Sequence, residues 1–150
     1  MIIECKIVDL ESGWSKFCIS NEQSTCEIEF SYLENPIEEL IYIIYELSIY
    51  GIEKEYRVVF PEEPGQYTLY LNCVNVDNLI IKVTSSPEWG KISTAYYRDN
   101  EENLIYLDKS ETRQNFTKIV FIALKEYINK SSAFHKNEYI KILNRIELNH

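Results

Sequence analysis

The residues of this chain suited to chemistry are two histidines, four cysteines and many carboxylates. His150 ends the sequence, so nucleophile–histidine catalysis would have to use His135. His135 sits in a polar turn with no nucleophile motif around it, and reads as a surface histidine. Cys5, Cys18, Cys26 and Cys73 form no CxxC pair and have no histidine nearby. Zinc ligation needs closer spacing, so they read as free, buried thiols acting as small hydrophobes. The acidic pairs are Glu38-Glu39, Glu62-Glu63 and Glu101-Glu102. A glycosidase needs two carboxylates facing one cleft, a condition that adjacency in sequence does not supply. There is no GxGxxG, GxxxxGK[ST] or HExxH, and four glycines are too few for a phosphate-cradling loop. No calcium loop is present, because alternating acids with a glycine are missing. These residues predict no catalytic centre, no metal and no cofactor.

The informative residues are tyrosines set among acids. Asn35 to Gly51 reads NPIEELIYIIYELSIYG. Asn35 can cap, Pro36 suits the first helical position, Glu38 closes a capping box and Gly51 is a stop. At helical spacing Ile37, Leu40, Ile41, Ile44 and Leu47 share one side, while Glu38, Tyr42, Tyr45, Glu46 and Ile49 fall on the other. A helix apolar on most sides has a second neighbour, so this outer face is either covered by the fold or an exposed contact surface. The chain has twelve tyrosines and a net charge of −9. Residues 1–75 hold 14 Asp and Glu against 4 Lys and Arg, and residues 76–150 hold 10 against 11. Such a balance excludes a general affinity for nucleic acid or anionic membranes. Tyrosine supplies contact area at low entropy cost and acids steer encounter, so the combination fits a basic protein partner. Low-GC coding, which enriches Tyr, Ile, Asn, Lys and Glu together, accounts for the same composition. The candidate partner-binding residues are Glu38, Glu39, Tyr42, Tyr45, Glu46, Glu62 and Glu63.

The elements that must position them begin with strands. Ile3, Cys5 and Ile7 alternate with Glu4 and Lys6; Trp14 to Ile19 follows; then Cys26, Ile28, Phe30 and Tyr32 alternate with Glu27, Glu29 and Ser31. After the helix, Tyr56, Val58 and Phe60 mark a strand ended by Pro61-Glu62-Glu63-Pro64-Gly65. Tyr67, Leu69, Leu71 and Cys73 line the next, and Leu79, Ile81 and Val83 the last clear one, across a tight connection at Val76-Asp77-Asn78. Residues 85–103 lose the pattern, and Leu104 to Leu107 suits a short strand or the approach to a helix. Asp108 with Glu111 reads as a second cap, opening a helix through Phe116, Ile119, Val120, Ala123 and Tyr127. Ser131-Ser132 breaks it, and Asn137 to Leu148 forms a final helix. The expectation is one α+β domain over residues 1–150. It has an antiparallel meander sheet of about six strands, one helix inserted after the third, and C-terminal helices packed on the sheet. Charges throughout residues 1–20 leave no apolar signal core, and no run approaches a membrane span, so the expected location is the cytoplasm.

The string from Trp14 through Phe30-Ser31-Tyr32-Leu33-Glu34-Asn35-Pro36-Ile37-Glu38-Glu39-Leu40, with Glu63-Pro64-Gly65-Gln66-Tyr67 and a helix opening near Phe116, resembles small bacterial proteins of uncharacterised families found among immunity proteins of polymorphic toxin systems. The matching positions are a helix cap, a turn and core aromatics, and carry over no site residues. The resemblance implies a non-enzymatic protein that binds and blocks a toxin made by the same cell or its kin. The alternative is a housekeeping interaction module, with the same helix forming a homodimer.

Overall fold

The computed structural model describes residues 1–10, 13–31, 35–49, 54–62, 65–86, 102–130 and 136–148. Strands β1 (Ile2–Asp9), β2 (Trp14–Asn21) and β3 (Thr25–Ser31) form one antiparallel sheet in that order. Helix α1 (Pro36–Ile49) follows. Strands β4 (Glu55–Pro61), β5 (Gln66–Cys73), β6 (Asn78–Ser86) and β7 (Asn103–Thr112) form a second antiparallel sheet, again in chain order. Helices α2 (Arg113–Lys130) and α3 (Lys136–Leu148) complete the chain.

The α+β class and the helix after the third strand agree with the sequence reading. The single six-stranded sheet does not: seven strands divide into sheets of three and four. The cause is α1. It carries the chain away from β3, and β4 pairs with β5 instead. The two sheets meet through side chains. Phe60 of β4 stacks on Phe17 of β2 with centroids 5.3 Å apart, and Phe30 of β3 meets it edge-on at 5.1 Å. Ile28, Val58, Leu69, Leu71, Ile81 and Val83 extend this contact into one core shared by both sheets and all three helices.

Period-two patterning holds well in β3 and β4, where Cys26, Ile28, Phe30, Tyr56, Val58 and Phe60 are buried. It slips in β1. Ile2 is 1% exposed and Ile3 60%, the reverse of the expected alternation. Ile2 lies opposite Asn21 and Glu4 opposite Ser20, so Ile3 is the extra residue of a bulge. The β1–β2 connection contains Gly13 at φ 80°, a left-handed conformation that suits a residue without Cβ.

A second correction concerns Asp108 and Glu111. They do not open a helix; both lie in β7 and are buried. Thr112 caps α2 instead, its Oγ1 accepting the Asn115 N–H at 3.1 Å. The Glu111 carboxylate accepts the backbone N–H of Ile2 at 2.7 Å, that of Thr112 at 2.7 Å and the Asn115 amide at 2.9 Å. This fastens β1 to β7 and α2 and fixes Ile2 on the core side of its bulge. Asp108 accepts the Ser110 N–H at 2.9 Å and the Asn21 amide at 3.3 Å, and pairs with the Met1 ammonium at 3.2 Å. The expectation that both C-terminal helices pack on the sheet holds for one of them. Helix α2 packs on β1 and β7, but α3 packs on α1 and α2 through Tyr139, Leu143 and Ile146.

Candidate functional site

Helix α1 starts where the capping residues put it. The Asn35 Oδ1 accepts the Glu38 N–H at 3.1 Å, and the Asn35 amide donates back to the Glu38 carboxylate at 3.1 Å. The same amide donates to the Tyr139 hydroxyl at 2.9 Å, which ties this cap to α3. At the other end no basic residue lies in the last turn of α1. Arg113 supplies the charge from α2: its guanidinium donates to the Leu47 carbonyl, and its Nε to the Val76 carbonyl at 2.7 Å. Both ends of α1 are therefore held by the C-terminal helices, and Ile37, Leu40, Ile41, Ile43, Ile44 and Leu47 are buried.

Fixed in this way, α1 presents a narrow outer stripe. Glu39, Tyr42, Glu46 and Ile49 follow one another at spacings of three, four and three. Tyr42 is 51% exposed and Ile49 37%; Glu39 is exposed, and the Glu46 side chain is about one-third exposed. Glu46 is held by Lys54, whose ammonium lies 3.2 Å from it and 4.5 Å from the centre of the Tyr56 ring. Glu38 belongs to the cap and to the contact with Tyr139. Tyr45 leans on the core, partly buried. Helical spacing groups Tyr42 and Tyr45 as one face; α1 separates them into an exposed tyrosine and a packed one. Glu62 is half-buried in a turn closed by its N–H donating to the Gly65 carbonyl at 2.9 Å. Burial and the neighbouring Glu62 carboxylate raise the Tyr67 hydroxyl above its ordinary value. Glu63 and His135 lie outside the described residues.

A second cluster is absent from the sequence reading. Tyr70, between the inward residues Leu69 and Leu71 of β5, points away from the core, yet it is 6% exposed. Its hydroxyl donates to the Glu102 carboxylate, which also accepts the Thr84 hydroxyl at 3.0 Å. The Arg57 guanidinium and the Lys82 ammonium lie over its ring, 5.1 and 4.4 Å from the centroid. Strand register builds the cluster, since Arg57, Tyr70 and Lys82 are direct cross-strand neighbours. Burial and the Glu102 carboxylate push the Tyr70 hydroxyl up to about 12, so it stays protonated and donating. The sequence signal was the polar face Gln66, Thr68 and Tyr70 on β5 against Thr84 and Ser86 on β6, all buried. Such a face reads as solvent-exposed until the strands are aligned.

The four cysteines are unpaired, each in a strand. Burial raises all four thiols, Cys26 to about 11, which keeps them protonated and poorly nucleophilic. Among the described residues no group of three or more His, Cys, Asp or Glu could hold a metal ion. No described helix is long and apolar enough to cross a membrane. Comparison with protein-family models, curated proteins and solved structures returns no match.

Proposed function

We propose that this chain is a non-enzymatic protein-binding module that engages a basic partner through α1, as an immunity-type inhibitor neutralising a toxin domain. The observation that carries the reading is the Glu39–Tyr42–Glu46–Ile49 stripe, on a helix whose two ends are clamped by other elements. A large, half-exposed tyrosine on a rigid helix loses little entropy when a partner covers it. The flanking carboxylates favour a cationic partner and speed its approach. Inhibition would be occlusion of a basic surface, with association slowing as salt rises.

The test uses the gene neighbourhood to choose the bait. A neighbouring large secreted protein supplies its variable C-terminal domain for toxicity and titration assays. The expected result is neutralisation by this chain, and at least about a tenfold loss of affinity in the triple variant Glu39→Lys, Tyr42→Ala, Glu46→Lys. Glu38 is left intact because its reversal would damage the cap. Unchanged affinity in that variant, or failure to neutralise, overturns the reading.

A further inference from the structure

We propose that Glu46 and the face of Tyr56 form a cation-recognition site, filled by Lys54 in the free chain and taken by an arginine of the basic partner when it binds. This rests on the reading of α1 as the docking helix, and it names the side chain that the helix receives. The Lys54 ammonium lies 3.2 and 3.5 Å from the two oxygens of the Glu46 carboxylate and 4.5 Å from the centre of the Tyr56 ring. Tyr56 is 6% exposed, and its buried hydroxyl has no hydrogen-bond partner among the described residues. Burial and the nearby Glu46 carboxylate raise that hydroxyl above its ordinary value, so it stays protonated beside the site.

A carboxylate beside an aromatic face suits a cation, and the chain shows the fit with its own lysine. The hold on that lysine is weak. Its side chain is 46% exposed and that of Glu46 32%, so water and salt screen the pair. The Lys54 carbonyl accepts the Cys73 N–H at 3.0 Å, which keeps the backbone in place when the ammonium swings out on its flexible stem. Arginine is the better occupant. Its planar guanidinium meets both oxygens of one carboxylate and stacks on a tyrosine ring, where an ammonium offers only a point charge. The unpartnered Tyr56 oxygen adds an acceptor. Glu46 stands between Tyr42 and Ile49 on the exposed stripe of α1, so an arginine entering here arrives with the surface that covers the stripe.

The test titrates the full chain with a blocked arginine tripeptide, glycine on either side, and follows its amide NMR signals, which also report that each variant is folded. Saturable shifts are expected at Glu46, Lys54 and Tyr56. The matching citrulline peptide, equal in shape but neutral, is expected to leave them unmoved. Lys54→Ala is expected to bind the arginine peptide about threefold more tightly, because the competing cation is gone. Lys141→Ala removes an equal charge from an exposed position of α3 and is expected to match the wild-type chain. Glu46→Gln is expected to lose the shifts. Equal affinity in the wild-type chain and Lys54→Ala overturns the displacement. Absent shifts, shifts confined to other residues, or an equal response to citrulline overturn the site. The probe involves no toxin, so this inference and the immunity reading fail separately. A chain that neutralises its partner and gives none of these shifts keeps α1 as the docking helix without the site. A chain that gives the shifts and neutralises nothing keeps the site without an immunity role.

Discussion

At the scale of single residues, burial separates side chains that look alike in the sequence. Tyr42 and Tyr45 share a helix, but Tyr42 is half-exposed while Tyr45 rests on the core. Tyr42→Ala is therefore expected to leave unfolding free energy within about 0.5 kcal/mol, and Tyr45→Ala to lower it by about 2 kcal/mol. Urea unfolding followed by far-ultraviolet circular dichroism distinguishes them, and equal losses would place both tyrosines in the same environment. Glutamates divide likewise. Glu111 is fully buried and accepts two backbone N–H groups from two different elements. Glu111→Ala strands those donors away from water, with an expected cost of about 3 kcal/mol in the same assay. A loss below about 1 kcal/mol would mean that water or another acceptor reaches them.

At the scale of elements, the legible features were those encoded locally. The α1 cap was readable because Asn35, Pro36 and Glu38 carry their roles in their own spacing, and the structure shows both arms of the bond. Asn35→Ala is expected to lower stability by about 1 to 2 kcal/mol, the loss of a cap together with its tie to Tyr139. Asn35→Asp keeps the acceptor but loses the amide donor, so its stability should fall between that of the wild-type chain and that of Asn35→Ala. A full loss in both variants would put the weight on the Tyr139 contact. Strands were legible from alternation, and the turn between β5 and β6 from its polar run. The residue that makes this turn is Asn75, whose side-chain oxygen accepts the N–H groups of Asp77 and Asn78 at 2.9 and 3.0 Å. Pairing across α1 was not legible. Alternation says that β3 and β4 each have an apolar face, and it is silent on whether their edges meet. The same silence hid the reach of β7 beyond Leu107, since the sequence left Leu104 to Leu107 open as a short strand or the approach to a helix. Asp108 and Glu111 mimic a helix start, and their partners Asn21, Ile2 and Met1 lie far away in sequence. The α1 stripe was half legible, since helical spacing gives its direction while the neighbours that bury Tyr45 and hold Glu46 come from tertiary packing.

At the scale of the whole molecule, these buried groups give stability a pH profile with two limbs. Burial works against the Asp108 charge. The Ser110 N–H, the Asn21 amide, the Met1 ammonium and the Ser110 hydroxyl outweigh it, so the carboxyl lies below its ordinary value. The unfolded chain then binds the proton more readily than the folded one, so this contribution is complete above the unfolded carboxylate range. It is lost as pH falls through the folded value. On the alkaline side the order reverses. Tyr70 is raised to about 12, and burial raises Tyr56 and Tyr106 as well. The folded chain keeps these protons after the unfolded chain has released them. Their contribution is complete below about pH 10, the ordinary tyrosine value, and lost as pH rises through the folded values. Asp108→Asn should therefore flatten the acid limb and leave the alkaline limb unchanged, and Tyr70→Phe should do the opposite. Urea midpoints measured from about pH 3 to pH 11 test both at once. An acid limb as steep in Asp108→Asn as in the wild-type chain would move the responsible carboxylate elsewhere. An alkaline limb unaltered by Tyr70→Phe would assign that loss to other raised groups, among them the two buried tyrosines facing the core and the four cysteine thiols.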